Sequence, residues 1–529
     1  MATEAAPVPS ATDPRTGPAL APGRKPAPSL TRRASLNVAA SLLDYSAKVA
    51  VGFVVVPILV TGLGRSLYGV WEMLGRLVGY MSAGDGRPTQ AVRLVVSNLQ
   101  ASSDDGLKRR YVGSAFVVWL LFLPVSLAAG AVLIWLAPVI TKLPPAQHSM
   151  VRATCALLVV ALLLANLASL PESVLRGMNL GYKRMGLQAF LEVVGGALMA
   201  GAVYVGLGLV GAAGSQIVFF TLIGLCFWLV SKKYVAWFGV ERPRRAEVRG
   251  LLALSGWYAA GEVITKLLLA SDALILGMVV SPAAVTSYVL TGYAARLAVN
   301  LHTFGAGGAI PGVGGVIGER QYDKATRLRR ELLALTWLFA TAVGSTILLW
   351  NRSFLGLWVG PENYAGTWVN LLSVFIMAQT GFIRSDAFII DAALQPRRRV
   401  AVTALSAALT IGLGTVLTMQ FGMIGLCIGV LAGRLIQSVA YPRLVHACLG
   451  AAPRESRGAI LRPLIVMSLL FTACAYLGDR LVARHWLVWG AGVAGSFVVV
   501  LPAALAAGLP PDLRRAVIAR IRGVRWLTR

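Results

Sequence analysis

Apolar segments, most of about 20 residues or more, recur fourteen times between residues 36 and 508. A run of that length crosses the hydrocarbon of a bilayer as a helix. In lipid, each backbone N–H and C=O needs a partner within the chain, which leaves helices or closed barrels as spanning structures. Segments this long and continuous predict helices. Composition agrees: 57% of the residues are apolar, only 13% are charged, and the mean hydropathy is +0.71. A soluble chain carries about 25% charged residues. A soluble enzyme, a fibrous protein and a largely disordered chain are therefore excluded. The expected class is an all-α polytopic membrane protein with 14 transmembrane helices.

The predicted spans are 36–62, 68–97, 112–140, 153–175, 186–206, 208–230, 250–279, 283–317, 332–350, 365–394, 400–420, 422–447, 459–478 and 486–508. Lys and Arg test that count, because they collect in cytoplasmic loops. With both termini cytoplasmic, 35 of the 49 fall on the cytoplasmic side, 6 on the other side and 8 inside spans. The net charge of +27 is thus read as a record of orientation, not of nucleic-acid binding. Residues 1–35 are rich in Pro, Ala and Ser and predict a disordered cytoplasmic tail without the apolar core of a signal peptide. An N-lobe at 36–235 (spans 1–6), a basic cytoplasmic linker at 236–249 and a C-lobe at 250–450 (spans 7–12) follow. Two further spans at 451–510 and a basic cytoplasmic tail at 511–529 complete the chain.

The two lobes repeat one another. Asp44-x3-Lys48 in the first span matches Glu262-x3-Lys266 in the seventh, at an offset of 218. Tyr68 and Arg76 match Tyr288 and Arg296, at an offset of 220. Basic loops follow in register, Lys108-Arg109-Arg110 against Arg327-Leu328-Arg329-Arg330. Gly208-Leu209-Val210-Gly211 matches Gly422-Met423-Ile424-Gly425. Six spans separate the copies, so both keep one orientation. Transporters built from such parallel repeats hold their site between the halves near mid-membrane.

A charge at mid-bilayer costs at least ~2.5–3.5 kcal/mol, so sixteen of them imply a wet interior. The cations are Lys48, Arg76, Arg87, Arg93, Lys266, Arg296, Arg384 and Arg434. The acids are Asp44, Glu72, Asp85, Glu192, Glu262, Asp272, Asp386 and Asp391. Asp44/Lys48, Glu72/Arg76 and Glu262/Lys266 stand acid-first at i,i+4, on one helix face. Such pairs either line a cavity or neutralise each other so that the helix inserts. Arg434 and Glu192 fall outside the clustered spans and are read as structural. The second span is interrupted at Gly84-Asp85-Gly86-Arg87-Pro88, and the eighth carries Gly305, Gly307, Gly308 and Pro311 in the corresponding place. Glycine and proline weaken the helical ladder, and paired broken helices point to a transport site. The other reading of the first break is a loop after Ser82. Cys155, Cys226, Cys427, Cys448 and Cys474 are scattered and the four histidines isolated, which suggests no metal. No phosphate-binding loop or catalytic set occurs, so the expectation is a non-enzyme without cofactor.

Leu63-Gly64-Arg65-Ser66-Leu67-Tyr68-Gly69-Val70-Trp71 resembles the LGxxxYGxW signature of bacterial polysaccharide-export (Wzx-like) flippases. Gly84-Asp85-Gly86 with Ala91-Val92-Arg93, Leu175-Arg176-Gly177, Leu357-Trp358-Val359-Gly360 and Phe421-Gly422-Met423-Ile424-Gly425 resemble further marks of that family. The likeness covers about residues 36–450. It departs at Arg87-Pro88 and in having more than the twelve spans of many members. The resemblance implies the fold shared with multidrug and toxin extrusion (MATE) antiporters and lipid II flippases. That fold is two six-helix bundles in a V around a central cavity, here with two extra helices. It implies movement of polyprenyl-diphosphate-linked (undecaprenyl-diphosphate) oligosaccharide from the cytoplasmic to the outer leaflet of a bacterial inner membrane. The expected surroundings are membrane lipid and a polysaccharide polymerase, around a monomeric chain.

A diphosphate carries about two negative charges and pairs well with Arg. Arg76, Arg296, Lys48 and Lys266 are therefore the expected headgroup clamp. Asp44, Glu72 and Glu262 would hold those cations when the cavity is empty. Arg87, Arg93 and Arg384 would guide the headgroup inward. Two alternatives use the same residues. A Na⁺- or H⁺-coupled organic-cation antiporter would employ Asp44, Asp85, Glu262 or Asp272, and a lipid II flippase would carry a different glycan.

Overall fold

The computed structural model describes residues 30–82, 88–100, 102–307, 310–393, 396–450, 457–515 and 517–518. The expected N-terminal tail lies almost wholly outside this range, as do Gly84, Asp85, Gly86, Arg87, Gly308 and residues 519–529. The described chain is helical throughout, with no strand among the described residues. Ten of its helices are long and apolar enough to cross a membrane.

Helix α1 (Leu30–Met81) makes two crossings, because Gly64 bends it with φ 76°. That left-handed value favours glycine, since a Cβ there is strained. Helix α2 (Pro88–Asn98) opens on a proline, which lacks an N–H and suits a helix start. Four single crossings follow, α3 (Asp105–Thr141), α4 (His148–Gly177), α5 (Leu187–Tyr204) and α6 (Gly208–Tyr234). The second half begins with α7 (Arg245–Val279). Its next crossing comprises α8 (Pro282–Thr291), α9 (Tyr293–Gly307) and α10 (Ile310–Gly318). Helices α11 (Tyr322–Trp358) and α12 (Thr367–Ala392) come next. Helix α13 (Pro396–Leu449) again crosses twice, bent at Gly422 with φ 57°. Helices α14 (Arg457–Gly478) and α15 (Trp486–Gly508) complete fourteen crossings.

The helix of the second span ends at Met81 and α2 begins at Pro88; the break expected at residues 84–87 lies outside the described residues. The eighth is interrupted at Gly292, between α8 and α9; the break expected at Gly308 lies outside the described residues.

Packing repeats between the halves. Helix α1 lies on α5 as α7 lies on α13, α4 on α6 as α12 on α13, and α3 on α4 as α11 on α12. Helix α2 lies on α4 as α9 and α10 lie on α12. These are two six-helix bundles of like design. Helices α14 and α15 lie against α11, held by Trp337 Nε1 on the Pro463 carbonyl (3.0 Å) and Trp350 Nε1 on Ser496 Oγ (3.2 Å).

Two antiparallel seams join the bundles. Along the second crossing of α1, Gly69 abuts the Pro282 carbonyl at the start of α8, Met73 fills the space at Gly277 of α7, and Tyr80 meets Ser271 of α7 at 2.9 Å. Lys266 Nζ donates to the Gly79 carbonyl at 2.6 Å and also reaches Ser82. Along the other seam, Arg65 donates to Ser287 at 2.7 Å, and Thr286 to the Arg65 carbonyl at 2.6 Å. Deeper, Tyr45 donates to the Leu297 carbonyl at 3.3 Å, and its ring meets that of Phe304 at a tilt, 5.0 Å between centroids. On the Arg65 side both halves share one core, in which Leu59, Leu63, Leu74 and Leu77 pack with Leu274, Leu276, Val285 and Leu290.

Candidate functional site

The α1–α7 seam has a polar centre. Arg76 on the second crossing donates to Asp272 on α7 at 2.6 Å, joining the bundles. Glu72, one turn before Arg76, stands 3.9 Å from it. Each acid is held by a repeat-related tyrosine, Tyr68 Oη on Glu72 at 3.3 Å and Tyr288 Oη on Asp272 at 2.8 Å. The Ala273 N–H also points at Asp272, at 2.8 Å. Charge-assisted bonds in a poorly hydrated interior are stronger than in water. The bridge is thus a firm link between the halves, and an anion of similar geometry would compete with it.

The repeat predicts like surroundings for Arg76 and Arg296, and the structure gives them different ones. Arg76 has a carboxylate on the other bundle. The position related by the repeat to Asp272 is Val54, so Arg296 has no such acid. Arg296 turns to the Val289 carbonyl on its own crossing, with no carboxylate within 4.0 Å among the described residues.

The lysines and the remaining acids also differ from expectation. Asp44 does not take Lys48 as its close partner; it lies 3.5 Å from Arg184, which the turn Gly181–Arg184 brings beneath the first crossing. Lys48 pairs instead with Glu192 on α5 at 3.3 Å, and its side chain is 55% exposed. Glu192, read from the sequence as a bystander, is therefore the partner of a candidate site residue. Glu172 joins this group, 3.1 Å from Arg184 and 2.6 Å from Arg176. Burial pushes the Arg184 guanidinium below its ordinary value, Glu172 opposes that and Arg176 adds to it. Glu172 and Arg176 stand at i,i+4 on α4, but spacing along one helix could not reveal the pairs of Asp44, Lys48 and Arg184, because their partners come from neighbouring elements.

Glu262 and Lys266 keep their i,i+4 relation at 3.9 Å. Arg384 donates to Thr303 on α9 at 3.2 Å, and Arg93 lies exposed on α2. Asp386 is not placed as a cavity acid. It is 4% exposed and takes both arms of Arg329, at 2.8 and 3.0 Å, fastening α11 to α12. Asp391 takes Arg399 at 2.6 Å. Asp85 and Arg87 lie outside the described residues. Pro88 is buried at the start of α2, and Gly307 ends α9 while Pro311 lies within α10. Among the described residues no cluster of His, Cys, Asp and Glu could hold a metal ion. Tyr68, Tyr288 and Tyr80 were not anticipated as site residues; the i,i+4 spacing of Tyr68 and Glu72 was the available signal.

No family model matches the chain, and no curated protein matches it. Solved structures do. An inward-facing multidrug resistance MATE family transporter of the MOP superfamily aligns over 77% of this chain and 98% of its own, with TM-score 0.62 and 13% identity. The fold is that of the MATE transporters. The MATE-like fold extends to the lipid II flippase MurJ in an inward closed conformation, which covers 88% of this chain and 98% of its own, with TM-score 0.65 and 11% identity. An outward-facing MATE family transporter aligns over 79% of this chain and 97% of its own, with TM-score 0.53 and 13% identity.

Proposed function

We propose that the chain is a flippase of this superfamily, moving polyprenyl-diphosphate-linked oligosaccharide units from the cytoplasmic to the outer leaflet by alternating access. The bundles at 36–235 and 250–450 act as its lobes, in a bacterial cytoplasmic membrane with both termini inside. The undecaprenyl-diphosphate carrier is the substrate's lipid part, and a polysaccharide polymerase receives the product. The chain works as a monomer and catalyses no bond-making step.

The observation that carries this reading is the Arg76–Asp272 bridge between the bundles, with Arg296 near it and lacking a carboxylate. A diphosphate presents more acceptor oxygens than one carboxylate and fits two guanidinium groups at once. It takes Arg296 first and then competes with Asp272 for Arg76. Losing that bond loosens the α1–α7 seam. An organic cation has less to gain here, because Asp272 and Glu72 already face Arg76. Lipid II remains a second reading, favoured by the likeness to MurJ, since its headgroup offers the same diphosphate.

The test is transfer of labelled lipid-linked oligosaccharide across liposome membranes. A charge-assisted bond is worth about 1.5–3 kcal/mol, so Arg76→Ala with Arg296→Ala should slow transfer roughly 100-fold or more at equal protein. Unchanged transfer overturns the reading. Transfer of labelled lipid II alone replaces it with the second reading, and export of organic cations alone replaces it with an antiporter.

A further inference from the structure

Arg434, on the second crossing of α13, is a buried cation that the bridge does not use. It is 8% exposed. Its Nη1 donates to the neutral hydroxyl of Thr380 at 2.8 Å, and its Nε has no partner. No carboxylate lies within 4.0 Å of it among the described residues. A buried charge held only by a neutral group is costly, so it accepts an acid readily when one arrives.

Packing puts Arg434 at the depth of Asp272. A Cβ at Gly414, on the first crossing of α13, would lie 3.6 Å from Ile275 Cδ1 on α7. Those two crossings run in the same direction. One turn back along each, about 4.5–6 Å at the usual rise, leads to Asp272 and to Thr410. Gly433 is pressed against Thr410, and Arg434 is its neighbour. Arg434 accordingly lies within reach of the opposite charge of Asp272 and the like charge of Arg384. Asp272 is therefore bonded to an arginine of the other bundle and shares its depth with an arginine of its own bundle that has no carboxylate within 4.0 Å among the described residues.

We propose that Arg434 is a positioning residue of the transport cycle: when an anionic headgroup takes Arg76, Asp272 leaves the bridge and is received by Arg434. The exchange cuts the link between the bundles without stranding a buried carboxylate. It makes separation of the lobes conditional on the anion. The proposal rests on the headgroup reading above and adds the step that couples binding to opening.

The experiment uses the full chain in phosphatidylethanolamine–phosphatidylglycerol nanodiscs, with inorganic pyrophosphate as the probe. Calorimetry reads binding, and hydrogen exchange at residues 282–291 reads opening of the seams. In the unmodified protein, saturating pyrophosphate should speed that exchange by about tenfold or more. Arg434→Gln should still bind pyrophosphate and keep 282–291 protected, while Arg434→Lys restores opening. In an Asp272→Asn background the segment should exchange fast without pyrophosphate, and adding Arg434→Gln should change nothing. Opening of the Arg434→Gln protein like the unmodified one overturns the proposal. So does an equal failure of Lys and Gln variants accompanied by equal loss of thermal stability, which marks a strut. Absent pyrophosphate binding in the unmodified protein overturns the headgroup reading itself, and shows before any Arg434 variant is compared.

Discussion

Arg76 and Asp272, 196 residues apart, meet at 2.6 Å and tie the two bundles together in the middle of the α1–α7 seam. Tyr288 fixes the acid from a third helix, α8. The arginine that ties the bundles is also the one proposed above to take an anionic headgroup.

Breaking that lock has a measurable signature. Arg76→Gln and Asp272→Asn each leave a half-buried partner without its counter-charge. Their combination should be milder than the two effects added. Contacting pairs of this kind couple by about 0.5–3 kcal/mol. A thermal-unfolding cycle of the single and double variants checks this, and strictly additive shifts in Tm would show that the bond contributes nothing.

The Tyr288 hydroxyl should act through Asp272 alone. Tyr288→Phe keeps the ring in its buried site and removes one hydrogen bond to a charged group, worth about 1.5–3 kcal/mol. In an Asp272→Asn background the same substitution should have a smaller effect on Tm. An equal effect in both backgrounds would assign it to packing.

Asp386 and Arg329 form a second lock within one bundle, between α11 and α12. Arg329→Gln leaves a buried carboxylate without its bidentate partner, and losing one member of such a pair costs about 3–5 kcal/mol. Folding yield and Tm should fall more than for Lys48→Gln, whose side chain is 55% exposed. Equal losses would contradict the burial seen here.

Gly69 offers a steric test of the seam. A Cβ there would overlap the Pro282 carbonyl, and overpacking of this kind costs about 1–3 kcal/mol. Gly69→Val should raise hydrogen exchange at 282–291 in the absence of any ligand. Unchanged protection would mean that the seam yields there at no expense.

Outside the membrane, Glu247 at the start of α7 predicts a pH dependence. Burial works to raise its carboxyl, but the Arg244 N–H at 2.7 Å and the Arg110 guanidinium at 2.7 Å prevail and hold it below its ordinary 4.5. A depressed carboxyl stabilises the fold above that value and loses the contribution as pH falls through its folded value. The Tm gap between the unmodified protein and Glu247→Gln should thus be full at pH 7 and close below about 4.5. A gap that widens in acid would reverse the assignment.

Much of the architecture was legible in one dimension. Lipid forces helices, a crossing needs about 20 apolar residues, and Lys and Arg mark a side, so the spans follow from composition along the chain. Gly64 and Gly422 mark turns because only a residue without Cβ takes those angles easily. The repeat of Asp44, Lys48, Tyr68 and Arg76 with Glu262, Lys266, Tyr288 and Arg296 announced two similar bundles. What the sequence left open was who faces whom. Spacing within a helix proposes partners one turn away, whereas a side chain takes whichever charge the packing brings nearest. Asp44 therefore went to Arg184, Lys48 to Glu192 and Asp386 to Arg329. The bridge from Arg76 to Asp272 and the reserve held by Arg434 exist only because α1, α7 and α13 converge at one depth, a relation that arises from packing of distant segments.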